Sequence, residues 1–139
     1  SVDQARGPAG PLRDRRRLVG DEGEGRAEAY LRRQGVRILG RHVRSPLGEL
    51  DLVADDQGVL VFVEVKRRRS GTYGGAIEAV DARKRAKLIQ LAAQYLAQHR
   101  IHDRACRFDV VLIQDDSGTT EPVQHIANAF DVAGDDLRW

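Results

Sequence analysis

Four charged side chains fall where a β-sheet core would otherwise be expected. In the stretch GELDLVADDQGVLVFVEVKRRR, residues 48–69, apolar residues separate the acids Glu49, Asp51 and Glu64 and the base Lys66. A carboxylate turned into a sheet without a partner costs several kcal/mol. Salt bridges, an exposed edge or a metal ion would relieve that cost. Twelve residues lie between Asp51 and Glu64, and the DDQG sequence among them is a turn. Its Asp side chains cap the backbone, and Gly58 takes a dihedral that other residues avoid. Folding about Gln57 or Gly58 sets Asp51 opposite Glu64, with about 4.5–5.5 Å between β-carbons. Carboxylates that close repel each other, so either one holds a proton or a cation sits between them. Lys66 lies two residues beyond Glu64 and therefore faces the same side. Oxygen ligands beside an ammonium suit a hard cation, Mg²⁺ or Mn²⁺, better than zinc. A plain ion pair of Lys66 with Asp51 or Glu64 accounts for the same residues without a metal, and so short a pattern does not separate the two.

Two features of the context favour chemistry over a plain ion pair. The acids are on strands that read as central, and a basic tract follows at once. Between Lys66 and Lys87 there are eight basic residues and only two acids, although the whole chain is nearly neutral, with 23 Lys and Arg against 21 Asp and Glu. A local excess of that kind is an electrostatic footprint for a polyanion.

The elements that must position these residues follow from hydrophobic periodicity. Ala27, Tyr30 and Leu31 mark a first helix over about residues 13–34, ended by Gly35; Gly20, Gly23 and Gly25 weaken its front and move its start toward Asp21. VRILGRHV and GELDLVA read as strands, the second with Leu50, Leu52 and Ala54 on one face and Glu49, Asp51 and Val53 on the other. VLVFVEVK is a buried strand that forms a hairpin with GELDLVA. The SGTYGG loop then leads to a second helix from about Asp81 to Arg100, striped by Leu88, Leu91, Ala92, Tyr95 and Leu96. CRFDVVLI is a further buried strand and PVQHIANAF an edge strand. Helix, three strands, helix and one or two strands require a mixed sheet flanked by helices, an α/β fold. The 139 residues suffice for one domain, expected over residues 13–131, with a disordered segment at 1–12 and a tail at 132–139.

These motifs, taken together, resemble a known family. Asp51 followed by Glu64-Val65-Lys66 resembles the D…(D/E)xK signature of restriction-endonuclease-like nucleases, and the element order resembles their αβββαβ core. More narrowly, the chain is similar to the YraN-like family of uncharacterised, endonuclease-like bacterial proteins related to Holliday-junction resolvases. The matching residues are Gly20, Glu24, Ala27, Tyr30 and Leu31, then GELDLVA, VFVEVKRR, YGGAIEAV with the helix through Tyr95 and Leu96, CRFDVVLI and HIANAFD. Leu50 precedes Asp51 where the superfamily usually has proline. The resemblance implies Mg²⁺-dependent (or Mn²⁺-dependent) hydrolysis of phosphodiester bonds in DNA, with branched or junction DNA as a candidate substrate. It implies that Asp51, Glu64 and the Val65 carbonyl hold the metal, and that Lys66 positions water or stabilises charge on the phosphate. Glu24 would complete the site from the first helix, with Glu28 as its rival, and Glu49 is an outer candidate. Arg67, Arg68, Arg83, Lys84 and Lys87 would grip phosphates.

Other signals carry less. His99, His102 and Cys106 lack a fourth ligand for zinc. SGTYGG serves equally as a connector and as a loop touching nucleic acid. Asp109 reads as a core-edge acid satisfied by Arg107 or a backbone amide. The single Cys106 forms no internal disulfide, no run of 18 apolar residues exists, and the start has no signal-peptide core, so a cytoplasmic protein without a membrane partner is expected. A homodimer is compatible with this reading. The alternative of a different class is a catalytically inactive nucleic-acid-binding module on the same fold.

Overall fold

A computed structural model of the chain describes residues 23–68, 81–114 and 123–130. The expected disordered segment at 1–12, the start of the first helix, Arg69, the SGTYGG loop and the tail at 132–139 lie outside the described residues.

Helix α1 covers residues 23–33. It ends where the sequence places its stop. Gly35 adopts φ +89°, its amide donates to the Arg32 carbonyl, and the Val36 amide donates to Leu31. This is a Schellman closure, in which glycine takes the left-handed position at least cost. Three strands follow, β1 (Arg37–Ser45), β2 (Gly48–Asp56) and β3 (Val59–Arg68). Helix α2 spans Ala82–Gln98 and starts at an Asp81 cap whose side chain accepts from the Lys84 amide at 2.9 Å. Strands β4 (Cys106–Gln114) and β5 (Val123–Ile126) complete a five-stranded sheet in the order β1-β2-β3-β4-β5. All neighbours are antiparallel except β3 and β4, which run parallel with α2 between them in the chain. The sheet is therefore mixed, the α/β architecture the element order requires, and it is consistent with a restriction-endonuclease-like core.

Side-chain alternation splits the core into two layers. Leu60, Phe62, Phe108, Val110 and Leu112 pack with Leu88, Leu91, Ala92, Tyr95 and Leu96 of α2. Val61, Val63, Val111 and Ile113 pack with Ala27 and Leu31 of α1 and with Val36 just beyond it. One expectation is corrected. Leu52 and Ala54 do share the α1 face, but Leu50 joins Val53 in the α2 layer. The ladder between β2 and β3 begins at Asp56↔Val59 and ends at Leu52↔Val63, so nothing on that side holds residues 48–51 to the regular alternation. Released from its neighbour, β2 turns there and presents Leu50 to α2.

Buried acids away from this point are locked by arginine. Glu28 of α1 takes two bonds of 2.6 Å from Arg41 and one of 2.6 Å from Arg32. Those guanidiniums hold its carboxyl below the usual range, the Arg41 hydrogen bond contributing most. Asp109, 1% exposed on β4, accepts from Arg107, from His125 and from the Asn128 amide. The sequence expectation for Asp109 is thus met on both counts, and His125 is an addition. Burial alone would raise the Asp109 carboxyl, but the bonds from His125, Arg107 and Asn128 overturn this and lower it. A lowered carboxyl contributes stability above its unfolded value, and that contribution is lost as pH falls through the folded value. We predict that Asp109→Asn lowers unfolding free energy by about 3 kcal/mol near pH 7. The difference from the parent protein should shrink below about pH 4. Urea unfolding of both proteins across that range checks it.

Candidate active site

The site lies where β2 and β3 part. The turn that sets their register is a two-residue hairpin with positive φ at both central positions, +52° at Gln57 and +93° at Gly58. That pattern is a type I′ turn, whose twist matches the strands it joins. Asp55 stabilises it by accepting from the Gly58 amide at 2.8 Å. The register then runs back through Leu52↔Val63, and the next opposed positions are Asp51 and Glu64. Here the backbone ladder stops and a side chain takes over: Asp51 Oδ2 accepts from the Val65 amide at 2.8 Å. The sequence expectation that the two acids face each other therefore agrees with the register.

Both acids are in a poor place for negative charge. Glu64 is 6% exposed and shares the α2 face with Phe62 by alternation. Burial pushes the Asp51 carboxyl up to about 6, with the charge of Glu64 as the next cause and that of Glu49 a lesser one. The Val65 amide and the Lys84 ammonium pull in the other direction. A counter-charge is supplied by Lys84 of α2, whose Nζ lies 3.1 Å from Glu64 Oε2. Lys66 follows Glu64 on the same face and is half-buried, and it makes no ion pair within 4 Å of a described residue. The plain pairing of Lys66 with Asp51 or Glu64 is not what the structure holds.

Other expected site residues are distributed around this pair. Glu24 of α1 has its Oε1 2.7 Å from His42 Nε2, and His42 Nδ1 lies 2.9 Å from Glu49. His42 sits on β1 between Arg41, paired to Leu52, and Val43, paired to Leu50, so it lies across from Asp51. Its φ of +48° is a conformation that β-branched residues avoid. Glu28, the rival of Glu24, is committed to its arginine clamp. Among the described residues, no three His, Cys, Asp or Glu side chains are grouped closely enough to hold a metal together. Arg67 lies on the opposite face from Lys66, its stem against Gly23 of α1, where an added β-carbon would sit 3.2 Å from Arg67 Cδ. The Arg68 side chain lies outside the described residues. Arg83, Lys84 and Lys87 line a groove of about 540 Å³ along the first turns of α2. Lys87 also covers Gly48, its Cε 3.2 Å from where a β-carbon would stand.

Sequence reasoning missed the pairing of Lys84 with Glu64 and the position of His42. A signal existed for each. Lys84 precedes Leu88 by four residues and Leu91 by seven, so it continues the sheet-facing stripe of α2 by one turn. His42 could be placed opposite Asp51 by counting from the Ser45–Gly48 turn of the first hairpin.

A family model of "Uncharacterised protein family UPF0102" matches residues 23–113. The chain belongs to UPF0102. This span runs from the first described turn of α1 to Ile113 in β4 and includes Glu24, Asp51, Glu64, Lys66 and Lys84. The chain is 45% identical over 116 residues to a UPF0102 protein of Syntrophotalea carbinolica, covering 84% of this chain and 94% of the relative. To a UPF0102 protein of Pseudomonas aeruginosa it is 46% identical over 121 residues, covering 86% and 97%. To one of Pelotomaculum thermopropionicum it is 44% identical over 120 residues, covering 86% and 100%. These UPF0102 relatives agree with the family the sequence motifs resemble. No helix among the described residues is long and apolar enough to cross a membrane.

The raised Asp51 carboxyl has a consequence for stability. The folded state holds that proton more tightly than the unfolded chain, so the associated stability is full below about pH 4 and is lost as pH rises through about 6. Asp51→Asn keeps an acceptor for Val65 and removes the charge. Without divalent metal it should be more stable than the parent at pH 7–8, by up to about 2 kcal/mol. The difference should vanish near pH 4. Thermal melts in EDTA at both pH values measure it, and a less stable Asn variant at pH 8 would contradict the assignment of Asp51 as an ill-compensated acid.

Proposed function

We propose that this UPF0102 protein is a metal-dependent endonuclease that hydrolyses phosphodiester bonds in DNA. The observation that carries the reading is the meeting of a half-buried carboxylate, Asp51, and a buried one, Glu64, at the end of the β2–β3 ladder, with two lysines on the same side. The donor set fits Mg²⁺ or Mn²⁺. Two acids plus the Val65 carbonyl are fewer ligands than a closed protein cage needs, and Mg²⁺ commonly binds through one or two carboxylates while keeping several waters. The Lys84 ammonium already stands where positive charge is required. A divalent cation held by Asp51 and Glu64 would supply Lewis acidity toward the phosphate and acidify a water.

The chain's own residues do the rest. Asp51 is held by the Val65 amide, so its free oxygen has a defined direction. Lys66, on the face of Glu64 and without a carboxylate partner among the described residues, is available to a phosphate oxygen or to the attacking water, where it offsets developing negative charge. Glu24 acts through His42 and Glu49 as a positioning residue, or binds metal through water. Arg83 and Lys87, along the groove of α2, neutralise flanking phosphates without reading bases. Branched or junction DNA as the preferred substrate belongs to this proposal through the family resemblance.

The test is cleavage of duplex, single-stranded, flap and four-way-junction DNA with Mg²⁺ or Mn²⁺. Glu64→Ala and Lys66→Ala should each lower the rate by about a hundredfold or more, while DNA retention changes only a few-fold. Equal rates for parent and Glu64→Ala would refute the site, and DNA binding without cleavage on any substrate would favour the inactive binding module. Arg83→Ala and Lys87→Ala should each reduce the log–log salt slope of DNA binding by about 1. An unchanged slope would remove α2 from the interface.

A further inference from the structure

Among the described residues, the pairing of Lys84 with Glu64 differs in kind from the arginine pairs of the fold. Glu28, Asp55, Asp56 and Asp109 are all paired by arginines, and Glu28 and Asp109 receive several bonds each. A planar guanidinium making parallel bonds is a permanent tie. Among the described residues, Glu64 is met instead by one ammonium at one oxygen. The two ends of that pair are unequal. The Glu64 side chain is 8% exposed and fixed in the sheet, whereas the Lys84 side chain is 42% exposed on a flexible stem. Its backbone is anchored, since Asp81 caps the Lys84 amide at 2.9 Å and the Asp81 carbonyl accepts from Arg85 at 2.9 Å. The ammonium can therefore leave Glu64 and reach solvent while the helix stays in place.

We propose that Lys84 is a removable counter-ion for the acidic pair: it neutralises Glu64 before metal binds, is displaced by the divalent cation, and then serves as a phosphate ligand that exists only in the metal-loaded protein. This rests on the nuclease reading and adds to it a regulation, the coupling of metal uptake to nucleic-acid binding through one side chain. Without metal, Lys84 is occupied and the groove of α2 offers one cation fewer. With metal, Asp51 and Glu64 are neutralised by the ion, and the ammonium stands free on the side from which a phosphate would approach. Each ligand thereby favours the other, as reciprocity of binding free energies requires. Lys66 has no such restraint and contributes in both states.

Three proteins test this: the parent, Lys84→Met and Lys84→Arg. Calorimetric titration of the metal-free proteins with Mn²⁺, in the absence of DNA, reads the first half. Lys84→Met removes the competitor and should bind Mn²⁺ about three- to fivefold more tightly, the scale of a half-exposed ion pair. Lys84→Arg should hold Glu64 more firmly and bind Mn²⁺ more weakly than the parent. Anisotropy with a short duplex, in EDTA and in Ca²⁺ at matched ionic strength, reads the second half. In EDTA, Lys84→Met should match the parent within about twofold, because the side chain is already engaged; in Ca²⁺ it should fall behind by about fivefold or more. Equal losses in EDTA and in Ca²⁺ would make Lys84 an ordinary phosphate contact and overturn the proposal. So would a Mn²⁺ affinity unmoved by both substitutions. If the parent takes up no Mn²⁺, the nuclease reading falls and this one with it. If the parent binds Mn²⁺ and DNA but neither variant departs from it, only the role of Lys84 falls.

Discussion

The structure turns on the cost of keeping two carboxylates together in a sheet interior. Asp51, half-buried, and Glu64, buried, occupy the positions that follow the last ladder pair, Leu52↔Val63, on strands joined by a tight hairpin, where loss of solvent makes charge expensive. The fold accommodates them by opening the ladder. Pairing stops at Leu52↔Val63, the Asp51 side chain takes the Val65 amide that a backbone carbonyl would otherwise receive, and Leu50 turns to the other layer. The first turn of α2 then lies close enough to Glu64 for Lys84 to reach it. The tight turn sets the hairpin register and apolar packing sets α2; the parting of the strands and the Lys84 contact are where the two acids are accommodated.

The same protein treats its other buried acids differently. Glu28 and Asp109 are as buried as Glu64, yet each is enclosed by guanidiniums and other donors that lower its carboxyl below the usual range. Asp51 goes the other way, to about 6. A carboxyl left raised, beside a second acid and a half-exposed ammonium, is a costly arrangement for structure alone. Perturbed titration of this kind clusters at functional sites. Membership of UPF0102 carries no chemistry by itself, because the family is described as uncharacterised. What points to chemistry is the set of two acids, two lysines and the gap between the strands.

Much of the fold was legible in the sequence because local rules and core packing agree. DDQG between alternating apolar runs leaves little choice but a tight hairpin, and the period of two then sets Asp51 against Glu64. Gly35 stops α1, Asp81 starts α2, and the stripe from Leu88 to Leu96 names the face that meets the sheet. The placement of Leu50 was not legible, because it depends on where a ladder ends, and alternation assumes that it continues.

The sequence by itself determined which residues could do chemistry and which strands carry them: two acids and a lysine on adjacent strands, followed by a basic tract. These relations span at most one hairpin, where chain connectivity dictates geometry. Only the tertiary structure decided which base answers which acid. Lys84 is twenty residues from Glu64 and reaches it through the packing of α2 on the sheet, while Lys66, two residues away, makes no such pair. It likewise decided that Glu24 meets His42, and that Arg67 lies on the α1 face while Lys84 lies on the α2 face. The reason is that a side-chain partner across two packed layers depends on the angle and depth at which a helix settles. That setting comes from the summed packing of many apolar residues and is written in no short segment of the chain.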